Sequence, residues 1–184
     1  NHINDVALIK EGASHEYENF HISTSLFRIE AYDIAHISGK SMVGVMTVVE
    51  NGELNKNEYR KFIIKTVDRP DDTKALGEVL SRRLNHSEWQ KPNIVVVDGG
   101  IAQINKAKQI LKNNKILIPV VSVLKDDRHK AKAIIGDDIL IKKYKKEILL
   151  ANAESHRFAI VFHKLKRSKT FTPSKISLLK KRNN

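Results

Sequence analysis

Residues 27–33, FRIEAYD, carry the reading that decides the fold. Phe27, Ile29, Ala31 and Asp33 alternate with Arg28, Glu30 and Tyr32, the period of two that a β-strand imposes on its side chains. Asp33 therefore ends the apolar face and Glu30 points the other way. A carboxylate closing a hydrophobic face must be paired, solvated or bound to a cation. Downstream, MVGVMTVV (42–49) reads as a second strand and Asn51-Gly52 as a tight hairpin turn. YRKFII (59–64) then reads as a third strand, antiparallel to the second.

Beyond residue 67 the pattern changes from hairpins to crossovers. DRPDDTKALGEVLSRRL (68–84) offers Asp71 or Asp72 as a helix N-cap and puts Leu76, Val79, Leu80 and Leu84 on one face. The unbroken β-branched run Ile94–Val97 predicts a central strand covered on both faces, and Asp98 closes it. Gly99-Gly100 permits a sharp turn into a helix carrying Ile101, Ile104, Ala107 and Leu111. Pro119 to Leu124 reads as another strand, AIIGDDILIKK (133–143) as a small hairpin, and residues from about 146 to 166 as a last long helix. This order fits a mixed-sheet α/β fold. A ribonuclease H-like architecture, a five-stranded mixed sheet flanked by helices, matches it best; a plain doubly wound fold accounts less well for the three opening antiparallel strands.

Composition narrows the function. With 184 residues and 41% hydrophobic content the chain is long enough for one domain with a true core. We expect a lead-in over 1–25, the domain over 26–168 and a basic linker over 169–184. Starting at Asn1 and ending in LLKKRNN, the chain reads as a piece of a longer polypeptide. No cysteine is present, which excludes disulfide frameworks, thiolate zinc sites and Cys nucleophiles and fits a reducing, cytoplasmic setting. No run has the apolar length of a membrane span. Thirty-three Lys+Arg against 21 Asp+Glu give a formal charge of +12, so polyanions, and nucleic acid first among them, are the expected partners.

The candidate chemistry lies in Asp33, Asp98 and His156, the last within AESHRFAIVFHK (153–164). Phosphodiester hydrolysis needs activated water and positive charge beside the transition state, and carboxylate oxygens hold Mg²⁺ or Mn²⁺ without quenching its Lewis acidity. Neighbouring strand ends are where open α/β sheets gather ligands. His156 is either a further ligand, better suited to Mn²⁺ than to Mg²⁺, or a proton carrier. Taken singly, each has a bland alternative: Asp98 as a turn former before Gly-Gly, His156 as an interfacial side chain on a stripe with Leu149, Ala153 and Ile160. They gain weight as a set.

Other features carry less. At least one of Asp68, Asp71 and Asp72 is expected to cap the following helix, and Glu154 to pair with a nearby base. GKS at 39–41 lacks the upstream glycine of a P-loop, with Ile34 in its place. Basic residues cluster at 125–132, 142–146 and 157–169, and Lys125, Arg128, Lys130, Arg157 and Lys164 are the expected phosphate contacts. At 6%, aromatics are too sparse for a base-stacking single-strand binder. A catalytically silent DNA-binding module is the competing function; cleavage at deaminated bases by an endonuclease V-like enzyme is a weaker third, since that chemistry places an acid where His156 stands.

Five strings in order, RIEAYDIAHISGKS (28–41), NEYRKFIIK (57–65), VVVDGGIAQINKAKQIL (95–111), IPVVSVLKDDRHK (118–130) and ESHRFAIVFHKLKRSK (154–169), resemble the C-terminal endonuclease half of the UvrC family, the nuclease subunits of the bacterial UvrABC excinuclease. The resemblance implies a ribonuclease H-like domain that makes the 5′ incision beside DNA lesions, with its triad on Asp33, Asp98 and His156. It implies damaged double-stranded DNA as substrate, with UvrB, and UvrA upstream, as partners of the full-length protein. Asp72 falls where such proteins carry a further functional acid, in a less similar segment. The first string departs at Ala31-Tyr32 and Ala35, where Cys-Phe and Ser are usual, and no proposed ligand is lost. An N-terminal nuclease domain and a C-terminal helix-hairpin-helix pair would lie outside this chain.

Overall fold

A computed structural model of the chain describes residues 26–37, 41–66, 71–125 and 131–170. Two ten-residue strands open it, β1 (Arg28–Ile37) and β2 (Ser41–Glu50), antiparallel along their whole length. Asn51 and Gly52 both take left-handed backbone, with φ of 48° and 85°, as a two-residue hairpin turn requires. They lead into β3 (Glu53–Leu54) and, after a single 3₁₀ turn at Lys56–Glu58, into β4 (Arg60–Ile63). Both pair antiparallel with β2. Helix α1 (Asp72–Leu84), β5 (Ile94–Asp98), α2 (Ile101–Asn113) and β6 (Val120–Lys125) follow, with β5 parallel to β1 and β6 parallel to β5.

β7 (Ala131–Ile135) adds antiparallel to β6, and helix α3 (Asp138–Thr170) ends the described chain. Sheet order is β3-β2-β1-β5-β6-β7, with β4 also on β2. The topology is the expected ribonuclease H-like mixed sheet, with seven strands instead of five. One addition is the two-residue β3, which pairs with β2 ahead of the expected third strand; the other arises because Ala133–Ile135 pairs with β6 instead of folding on itself. The small hairpin expected in AIIGDDILIKK does not form. Asp137 caps a helix there, accepting from the Leu140 backbone N–H at 2.9 Å, so ILIKK is helical and α3 starts at Asp138 rather than near 146. A non-helical residue, Tyr144 (φ −117°, ψ 24°), kinks α3 between its first turns and its long remainder. The segments 1–25 and 171–184 lie outside the described residues. Among the described residues no helix is long and apolar enough to cross a membrane.

Alternation along β1 builds two cores. Ile29 and Ala31 join Ile94, Val96, Val121 and Val123 against Ile148 and Ala151 of α3. Tyr32 joins Val95 and Val97 on the opposite face, under Leu76, Val79 and Leu80 of α1 and Ile104 of α2. Glu30 shares that second face and is wholly buried. Its carboxylate accepts from Arg83 at 2.8 and 2.9 Å, from Arg28 at 3.0 Å and from the Tyr32 hydroxyl at 2.6 Å. Arg28 continues to Glu50 at 2.7 Å, and Arg83 to the Gln90 carbonyl at 2.6 Å. Burial, with the Glu30 charge beside it, pushes the Tyr32 hydroxyl well above the ordinary phenol range.

Arg83 has this carboxylate as its counter-ion while Arg28 also holds Glu50, so deleting Glu30 leaves the Arg83 charge uncompensated in the interior. Glu30→Ala should lower the unfolding free energy by about 3–5 kcal/mol. Urea denaturation checks this, and a loss below about 1 kcal/mol, the range of exposed pairs, would show that the network carries no such dependence.

Candidate metal centre

The site grows from strand register. Tyr32 is paired with Val97, so the next residue on each parallel strand, Asp33 on β1 and Asp98 on β5, stands at the same level of the sheet. Alternation places both on the α3 face, since Asp33 follows Ile29 and Ala31 and Asp98 follows Ile94 and Val96 in the α3-side core. β5 stops at Asp98 while β1 continues to Ile37 along β2, which holds Asp33 inside a paired strand. The long helix brings His156 to the same place. One ligand atom each from Asp33, Asp98 and His156 lie within 4.8 Å of one another.

Their environments differ. Asp33 is 8% exposed, and its Oδ2 lies 3.2 Å from His156 Nδ1. Burial pushes its carboxyl above the usual range and the Asp98 charge pushes further; Lys125 and His156 pull the other way without cancelling the rise. Asp98 accepts from Lys125 Nζ at 2.6 Å. It is not the cap of α2. The N-cap position is Gly100, whose N–H donates to Gln103 Oε1 at 3.0 Å, and the Gly99 carbonyl accepts from the Ser122 hydroxyl. Gly99 makes the turn with φ at +127°, where a Cβ would also press on the Gln103 side chain at 2.7 Å.

Asp33 and Asp98 line two clefts of about 310 Å³ each. One opens toward the N-termini of α1 and α2, with Asp72, Gly99, Gly100 and Lys125 on its walls. The other opens toward α3 and is walled by His36, His156, Ala159 and Ile160. Of the three acids before α1, Asp71 is the cap, accepting from the Lys74 N–H at 2.9 Å. Asp72 instead faces His36 Nε2 at 2.8 Å, half exposed, at the cleft and outside the three-residue cluster. Asp68 lies outside the described residues.

The basic residues divide. Lys125, expected as a phosphate contact, sits inside the cluster on Asp98. Arg157 is paired with Glu154 at 2.6 Å, the partnership expected for that acid, and Tyr59 donates to the same carboxylate at 3.1 Å. Arg128 and Lys130 lie outside the described residues, as does the side chain of Lys164. His36 is the wall residue the sequence reading missed. Its signal is the period of two: as residue 36 it shares the α1-side face of β1 with Tyr32 and Ile34.

Two carboxylates and one imidazole at this spacing suit a divalent cation, and the burial that disfavours a charged Asp33 would be relieved by one. A family model described as the UvrC RNase H endonuclease domain matches residues 17–163. The chain belongs to that family. It is 39% identical over 160 residues to UvrABC system protein C of Streptococcus thermophilus, covering 81% of this chain and 27% of the relative. UvrABC system protein C of Clostridium perfringens is 38% identical over 165 residues, covering 77% and 27%. This UvrC-family domain thus spans about a quarter of the length of the curated relatives it matches. Among solved structures, Ciona intestinalis endonuclease V in complex with inosine-containing DNA aligns with a TM-score of 0.43 at 12% identity, covering 70% of this chain and 57% of that one. Human ENDOV aligns with a TM-score of 0.42 at 12% identity, covering 66% and 55%.

The raised Asp33 carboxyl sets a sign. A carboxyl easier to protonate in the folded than in the unfolded state adds stability at low pH that is lost as pH rises through the carboxylate range. With chelator at neutral pH, Asp33→Asn should therefore melt a few degrees above the wild type, and the gap should close as both are acidified. Thermal melts across pH measure it; a variant less stable at neutral pH would contradict the assigned balance of burial and repulsion.

Proposed function

We propose that this chain is the divalent-metal-dependent endonuclease domain that makes the 5′ incision near lesions in bacterial nucleotide excision repair. The single observation that carries the reading is the cluster of Asp33, Asp98 and His156 at the open end of the sheet. Family membership supplies the reaction class, a nuclease. The substrate is damaged double-stranded DNA. In the full-length cytoplasmic protein, UvrB is the partner, with UvrA acting upstream.

Asp33, Asp98 and His156 would hold the ion. Oxygen donors suit both Mg²⁺ and Mn²⁺, and the imidazole shifts preference toward Mn²⁺. When bound, such an ion supplies Lewis acidity, which offsets charge developing on the phosphodiester and makes water a better nucleophile near neutral pH. The protein's own part is positional. β1 and β5 fix the two carboxylates, the Asp33 contact fixes the His156 ring, and Lys125 orients the Asp98 carboxylate while adding a positive charge where a phosphate must approach. Asp72 walls the first cleft, in reach of a substrate entering it, and pairs with His36 of the second.

Within the full-length protein, Asp33→Ala should abolish Mn²⁺- or Mg²⁺-dependent 5′ nicking and the calorimetric Mn²⁺ binding of the domain together. Retained incision in that variant rejects the assignment. Chelator-insensitive DNA binding with no Mn²⁺ heat in the wild type would instead identify a silent binding module.

A further inference from the structure

A groove among the described residues lies away from the metal centre. It measures about 450 Å³ and runs between β7 and the first half of α3. Its floor is apolar, with Ile134 from the strand and Ile141 and Leu149 from the helix, and its walls carry the ammonium groups of Lys132, Lys142 and Lys145. Asp138 is the acid in the lining, so three positive charges face one negative. All three lysines are exposed, and none makes an ion pair among the described residues.

Their placement is ordered. Residues 138, 141, 142, 145 and 149 recur at helical spacing and present one face of α3 to β7. Lys132 lies on β7 next to Ala131, the register partner of Lys125 on β6, so it stands one strand beyond the lysine that contacts Asp98. Lys125, Lys132, Lys145 and Lys142 then form a track from Asp98 into the groove. Its far part is measurable: Lys145 precedes His156 by eleven residues on the same helix, about 16 Å at 1.5 Å per residue. Along a duplex, where each strand advances about 3.4 Å per nucleotide, that is roughly five nucleotides.

We propose that the β7–α3 groove is a second phosphate-binding subsite, which takes the sugar-phosphate backbone of the DNA about five nucleotides from the incised bond. Free ammonium groups over an apolar floor match that ligand, since phosphates meet the charges and deoxyribose meets Ile134 and Leu149. The position of the subsite relative to the cut rests on the nuclease reading. Its affinity for a phosphate backbone does not.

The test is the double substitution Lys142→Gln/Lys145→Gln in the full-length protein, with Lys142→Arg/Lys145→Arg as the charge-retaining control. Affinity for plain duplex DNA, measured by anisotropy across a salt series, should fall roughly 10- to 60-fold at ~0.1 M salt, and the slope of log K against log salt should flatten by about 2. The Arg pair should restore both. In Mn²⁺-dependent nicking, the wild-type KM should rise once one arm of the substrate is trimmed below about five nucleotides, and the Gln variant should ignore that trimming. An unchanged salt slope, or equal length dependence in both proteins, would overturn the proposal and leave the groove to an acidic protein partner. If the wild type fails to nick, the nuclease reading falls, while the salt series still decides the groove.

Discussion

Two carboxylates held side by side on neighbouring parallel strands repel each other, and the rest of this molecule is arranged around that repulsion. The register of β1 against β5 puts Asp33 and Asp98 at one level, and the antiparallel pairing of β1 with β2 beyond Asp33 denies the first any retreat. Burial makes the repulsion worse, because the Asp33 charge has little water around it. The partners that reach the pair are bases: His156 on Asp33 and Lys125 on Asp98. A site in which the folded chain disfavours its own charges is one that gains most from a bound cation.

The other face of β1 explains how the strand tolerates this. Glu30, one residue from Ala31 and three from Asp33, is buried in a network with Arg28, Arg83 and Tyr32 that ties β1 to α1 and to the loop at Gln90. A slip of one residue would exchange the faces, sending Asp33 under α1 and Glu30 into the apolar layer beneath α3. Neither carboxylate would then meet its bases. The buried network thus specifies register, and register is what places the metal ligands.

What was legible in the sequence follows from how far its physics is local. Asp33 and Asp98 could be found because alternation fixes a residue's face and each closes an apolar run, although β1 itself runs on to Ile37. A cap at Asp71 or Asp72 could be found because the preference is set by the first turn alone, and the structure assigns it to Asp71. His156 had only a helical stripe and the UvrC-like strings to recommend it, since what makes it a ligand candidate is a contact 123 residues away. Lys125 reads as a phosphate contact in the sequence, because the bond to Asp98 depends on two strands being neighbours. The short β3 left no mark, as two residues, Glu53 and Leu54, are too few to show a period. In AIIGDDILIKK a β-branched run suited strand and helix alike, and the Asp137 cap decided it.

Charge shows the same divide. A formal +12 says that the chain attracts polyanions, and says nothing of where. Arg28, Arg82, Arg83, Lys125 and Arg157 all contribute to that sum, yet each is engaged by a carboxylate of the protein. At physiological salt, fields fade within about 8 Å, so the total steers an encounter while contact is decided by bases without such partners. Lysines 132, 142 and 145 meet that condition on one wall-and-floor surface leading from the ligand cluster. Because the acids of the centre engage the nearest bases, the positive charge available to a substrate begins beyond them, at the lysines of the β7–α3 groove.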